Sequence, residues 1–155
     1  MDLSKPGFLV FTYFADDRKG GSMMFKTMLV EDSPSLRQLV KANLRDQFPS
    51  MDIIEAADGV EAFRKIDSYP PNLILMDITL PGEDGLELTR KIKADYPGVT
   101  IVILTSHDSP EYREAAIRSK ANYFLSKGSI ATDEIFKLVK SIILAKGFNA
   151  DGSDN

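Results

Sequence analysis

A chain of 155 residues, 43% of them hydrophobic, has enough apolar material for one core and one domain of ordinary size. A net charge of −4 offers no basic face for nonspecific attraction to phosphate backbones, so direct nucleic-acid binding by this chain is not expected. The absence of cysteine excludes disulfide scaffolds and thiolate metal sites and fits a reducing compartment, so a cytoplasmic protein is expected.

Residues 1–24 read as an N-terminal extension. Phe8 to Phe14 is apolar and aromatic, but the run is too short to span a bilayer and is followed by Asp16 and Asp17. Asp2 beside Lys5, with no small-residue cleavage site after the run, argues against a secretory signal. Neither insertion into a membrane nor attachment to one is expected. Gly20-Gly21-Ser22-Met23-Met24 reads as a flexible joint, and poor order is expected because a short apolar run without a partner buries little surface.

From residue 25 to 147 strand and helix patterns alternate, the signature of a parallel sheet with right-handed crossovers. The first strand is Thr27 to Val30. Ser33-Pro34 then offers an N-cap with proline at the first helical position, and Leu36, Leu39, Val40 and Leu44 follow at helical spacing. Asp52 to Ala56 is a second strand and Asp58 to Ile66 a second helix, which Tyr69-Pro70-Pro71 ends because a residue before proline leaves the helical region. Leu73 to Met76 is a buried strand that delivers Asp77, broken by Pro81-Gly82. A third helix spans about Leu86 to Tyr96, Thr100 to Leu104 is the fourth strand, and Ser109-Pro110 opens a fourth helix. Asn122 to Leu125 is the fifth strand. The last helix, about Thr132 to Lys146, carries Ile135, Leu138, Val139, Ile142 and Ile143 on one face and leaves Leu144 outside it. Gly147 caps that helix, and the polar residues 148–155 are expected to form a disordered tail.

Four of the apolar runs end in polar groups: Glu31-Asp32, Asp77, Thr105-Ser106 and Ser126-Lys127. Taken alone, each has an ordinary reading, such as a strand-terminating Asp that bonds its own turn. In a parallel sheet, however, all four ends meet on one edge, which is where ligands of open α/β sheets bind. Together they match what a phosphoryl group requires. Carboxylates hold a hard cation such as Mg²⁺, a hydroxyl donates to one phosphoryl oxygen, and an ammonium neutralises another.

Leu29-Val30-Glu31-Asp32, Leu75-Met76-Asp77 with Leu80-Pro81-Gly82-Glu83-Asp84-Gly85, Leu104-Thr105-Ser106 and Phe124-Leu125-Ser126-Lys127 resemble response regulator receiver domains. The resemblance covers roughly Lys26 to Lys146. It implies a flavodoxin-like, doubly wound five-stranded parallel sheet in the order 2-1-3-4-5, with helices on both faces. It further implies that Asp77 is the phosphoacceptor and that Glu31, Asp32, Asp77 and the Thr79 backbone carbonyl bind Mg²⁺. Thr105 and Lys127 would contact the phosphoryl group, and Phe124 matches the switch aromatic. The chain is then a module of a two-component phosphorelay and not an enzyme in the usual sense, although it catalyses its own phosphorylation and dephosphorylation. Its expected partners are a histidine kinase or phosphotransfer protein and a downstream protein, the latter reached through the face of the fourth helix, fifth strand and fifth helix. A phosphorylation-dependent homodimer is one form that output can take.

Two positions depart from the family pattern: Lys120 stands where a small residue usually precedes the fifth strand, and Gly128 where proline often follows the site lysine. Thr79 and His107 each lie two residues beyond a site group and are expected to modulate the rate at which the phosphate is lost. Two other functions remain in play at this point. A Mg²⁺-dependent phosphohydrolase of the haloacid dehalogenase type also uses an aspartyl phosphate, but its pattern asks for a second Asp where Thr79 stands. A receiver-like scaffold that is never phosphorylated would not need Asp32, Asp77, Thr105 and Lys127 together.

Overall fold

Five parallel strands form one sheet in the order β2-β1-β3-β4-β5 in the computed structural model, which describes residues 24–128 and 133–154. The elements are β1 Lys26–Val30, α1 Pro34–Gln47, β2 Asp52–Ala56, α2 Gly59–Ser68, β3 Leu73–Asp77, α3 Gly85–Asp95, β4 Thr100–Thr105, α4 Pro110–Arg118, β5 Tyr123–Ser126 and α5 Glu134–Ala145. The predicted fold class, strand order and alternation are therefore observed, with element ends moved by a residue or two. Apart from Met24, the expectations for the N-terminal extension lie outside the described residues.

Local chemistry sets the helix starts. Ser33, Asp58 and Ser109 each accept a hydrogen bond from the N–H three residues on, with Pro34 and Pro110 as the first residues of α1 and α4, while Asp84 caps α3 by accepting from the Leu86 N–H two residues on. The caps at Ser33, Asp58 and Ser109 start their helices within a few residues of a strand end, whereas residues 78–84 separate β3 from α3.

Strand side chains alternate between two apolar layers. Leu29, Leu73, Leu75, Val102 and Leu104 pack with Val40, Leu44, Ile135, Val139 and Ile143 of α1 and α5. Met28, Val30, Ile74, Met76 and Ile103 pack on the opposite face with Ala62, Ile66, Leu88, Ile92 and Ala116 of α2, α3 and α4. Burial on both faces is why these strands read as continuous apolar runs. On α5 the predicted stripe faces the core, with Leu138 partly buried, and Leu144 is 50% exposed.

Lys120 adopts φ +73°, the left-handed region. That conformation suits glycine and explains why a small residue is usual before the fifth strand; here a lysine takes it, held by its N–H bond to the Ile117 carbonyl at 2.9 Å.

The expectation of a disordered tail is not met over residues 148–154. Gly147, at φ +88°, turns the chain back so that the Phe148 ring meets Phe25 edge-on at 5.3 Å. The Phe25 N–H then donates to the Gly152 carbonyl at 2.9 Å and the Ser50 N–H to that of Asp151 at 3.2 Å. Backbone groups, one aromatic ring and the Ser50 hydroxyl donating to the Asp151 carboxylate at 3.2 Å carry the contact, so the polar composition of the segment concealed it.

Candidate functional site

The β1, β3, β4 and β5 ends bring Glu31, Asp77, Thr105 and Lys127 to one edge of the sheet. Asp77 is the last residue of β3 and 4% exposed, placed there by four apolar residues with no exposed face. Its Oδ1 accepts from the Thr79 backbone N–H at 3.2 Å and lies 3.3 Å from Lys127 Nζ. The ammonium also meets Glu31 Oε1 at 3.1 Å, so Lys127 bridges two carboxylates. Asp32, the next residue after Glu31, is exposed at the mouth.

Glu31, Asp32 and Asp77 each bring one carboxylate oxygen to within 4.8 Å of the others. Hard oxygen donors in a partly open cluster fit Mg²⁺, which keeps several waters in its octahedral shell. Electrostatics favour a cation there as well. Burial pushes the Glu31 carboxyl above its ordinary 4.5 and the Asp77 charge adds to this, while the Ser33 N–H and Lys127 only partly offset them. Burial draws Lys127 down, but its hydrogen bond to Glu31 and the charges of Asp77 and Glu31 outweigh that and leave the ammonium above 10.5. The lysine is therefore a fixed positive charge.

The loop after Asp77 is shaped by Gly85. A Cβ at Gly85 would lie 2.1 Å from the Asp77 carbonyl oxygen and 2.8 Å from Ile78 Cα, so only glycine lets the start of α3 approach this closely. The Gly85 N–H closes the loop on the Ile78 carbonyl at 2.8 Å.

Thr105 is fully buried at the end of β4, and its Oγ1 accepts the His107 N–H at 2.9 Å. The predicted carboxylates and Lys127 thus come together, and Thr105 stands on the strand beside Asp77. Thr79 and His107 are exposed; the imidazole packs 5.2 Å from the Tyr112 ring. Phe124 is half-buried, with the Arg113 guanidinium 4.8 Å from its ring centre. Arg37 was not among the expected residues. Its Nη1 donates to the Glu31 carbonyl at 2.6 Å and its Nε meets Glu55 Oε1 at 2.9 Å, clamping the acidic loop to β2. The available signal was a cation one turn into α1 beside an acid in β2.

The family model of the response regulator receiver domain matches residues 27–140. The chain belongs to that family. CheY of Halobacterium salinarum is 35% identical to this receiver domain over 105 residues, 68% of the chain and 86% of the relative. The oxygen regulatory protein NreC of Staphylococcus aureus is 35% identical over 105 residues, 67% of the chain, which spans only 48% of that relative. Among solved structures, a LuxR-family two-component response regulator from Aurantimonas superposes with TM-score 0.70 at 30% identity, over 79% of this chain and 87% of its own. The response regulator TrrA of Thermotoga maritima, solved in complex with Mg(2+)-BeF, gives 0.68 at 30% over 77% and 99%. A CheY-like receiver from Methanospirillum hungatei shares the fold, with TM-score 0.71 at 24% over 80% and 98%. The receiver domain is thus a module of two-component response regulators, which implies a histidine kinase and a downstream effector as partners. The match supports this reading and not the phosphohydrolase one. No helix among the described residues is long and apolar enough to cross a membrane.

Proposed function

We propose that this receiver domain acts in the cytoplasm by accepting a phosphoryl group on Asp77 from a phosphohistidine of a kinase or phosphotransfer protein. The supporting observation is a buried strand-end carboxylate held 3.3 Å from an ammonium, within reach of two further carboxylates. In the reaction an Asp77 carboxylate oxygen attacks phosphorus in line, the phosphorus–nitrogen bond breaks, and the histidine leaves neutral once protonated. Lys127 compensates the charge arriving on the phosphoryl oxygens and Thr105 donates its hydroxyl to one of them. Glu31, Asp32, Asp77 and the Thr79 carbonyl would hold Mg²⁺, which supplies charge neutralisation at the phosphoryl oxygens. No other residue is needed, so acetyl phosphate should serve as a donor without a kinase. Intact mass after incubation with acetyl phosphate and Mg²⁺ should rise by one phosphoryl group, in wild type but not in Asp77→Asn or without Mg²⁺. An unchanged wild-type mass would leave the inert scaffold as the better reading.

Output follows from Thr105. When its hydroxyl turns toward the phosphoryl group it vacates space that Phe124 fills, altering the α4-β5-α5 face that meets a downstream protein or a second receiver. Thr79 and His107, which flank the site in sequence, set how readily water reaches the phosphate. Dephosphorylation of Thr79→Ala and His107→Ala should differ from wild type by several-fold; identical decay curves would remove both from this role.

A further inference from the structure

On the face where α4 meets β5, Phe124 packs half-buried against the layer that contains Ile103 and Ala116. The Arg113 guanidinium covers its ring, Cζ 4.8 Å from the centre. Asp108 holds the guanidinium in place, its Oδ1 accepting from Nε and lying 2.8 Å from Nη2 as well. Asp108 directly follows His107, whose N–H donates to Thr105 Oγ1 at 2.9 Å. A continuous set of contacts therefore runs from the Thr105 hydroxyl through the loop to the Phe124 ring.

We propose that Arg113 is a positioning residue that latches Phe124 in its half-buried place beneath the guanidinium and thereby opposes the switch. The proposal rests on reading Thr105 and Phe124 as the switching pair. A guanidinium over an aromatic face is attracted by the ring quadrupole, so the ring must give up that contact to move inward. When Thr105 turns toward Asp77, the His107 N–H loses its acceptor, the loop carrying Asp108 is released, and the clasp on Arg113 loosens. The Arg113 side chain is half exposed, so its hold on the equilibrium is modest, about two- to fivefold for an exposed cation over a ring. Coupling is reciprocal, and whatever favours the ring in contact with Arg113 weakens binding of a phosphoryl mimic at Asp77 by the same factor.

The test measures beryllofluoride affinity in the presence of Mg²⁺ for wild type, Arg113→Gln, Arg113→Lys, Phe124→Leu and the Arg113→Gln/Phe124→Leu double variant. Arg113→Gln should bind about two- to fivefold more tightly than wild type, and Arg113→Lys, which keeps a cation but loses the two-nitrogen hold of Asp108, should fall between the two. The double variant should bind no more tightly than Phe124→Leu alone. Unchanged affinity in Arg113→Gln, with Phe124→Leu altering it, overturns the latch and leaves the switch intact. An equal gain in both backgrounds also overturns it, because Arg113 would then act elsewhere. Indifference to both residues overturns the switching pair and the latch with it, and failure of wild type to bind overturns the reading of the site.

Discussion

Gly85 shows how narrowly one residue is constrained near Asp77. A methyl group there meets backbone rather than a movable side chain, so the strand end or the start of α3 must shift. Gly85→Ala should cost about 1–3 kcal/mol, as overpacking of a tight site does, and should slow acetyl phosphate labelling of Asp77. Urea unfolding and the labelling rate check this; wild-type values for both would show that the loop yields freely. At this scale the sequence was informative where a polar side chain ended an apolar run, which is how Asp77, Glu31, Asp32, Thr105 and Lys127 could be picked out. Arg37 and the close approach at Gly85 could not, because both depend on how neighbouring elements are placed. The contacts of Phe124 and His107 with α4 were hidden for the same reason.

Among the elements, α1 and β2 are joined by Glu55, which accepts from Arg37 at 2.9 Å and from Lys41 at 2.6 Å. The hydrogen bond from Lys41, with help from Arg37 and against some burial, holds the Glu55 carboxyl below its ordinary 4.5. A depressed acid binds its proton less readily in the folded state, so its contribution is complete above 4.5 and fades as pH falls through the folded value. Glu55→Gln should therefore lose about 0.5–1 kcal/mol at neutral pH, the range for a partly exposed ion pair. The gap from wild type should close as the solution is acidified below 4.5. Denaturant midpoints across that range measure it, and a gap independent of pH would assign the loss to packing. Element types and order were legible because β1, β3 and β4 are buried on both faces and two helices open with a Ser-Pro pair that reads as a cap. The Glu55 clamp was not, since acids and bases on a helix and a strand carry no register between them.

For the whole molecule, parallel topology sends every strand end carrying chemistry to one edge and leaves the opposite edge to structural closure. The segment 148–154 performs that closure around Phe25. Truncation after Gly147 should cost about 1–3 kcal/mol, for one partly buried aromatic and a few backbone hydrogen bonds. Acetyl phosphate labelling should persist, because Asp77 lies a strand length away. Equal unfolding midpoints for the truncated and full chains would reduce the segment to an ornament of the fold. The 2.9 Å bond from the Phe25 N–H to the Gly152 carbonyl also places the two ends of the described fold side by side. A short peptide joining Asp154 to Met24 would thus leave the sheet intact, and new termini could be opened in any exposed loop. A circularly permuted chain of this kind, carrying a fluorophore pair across a break between α4 and β5, would convert phosphorylation at the opposite edge of the sheet into an optical signal.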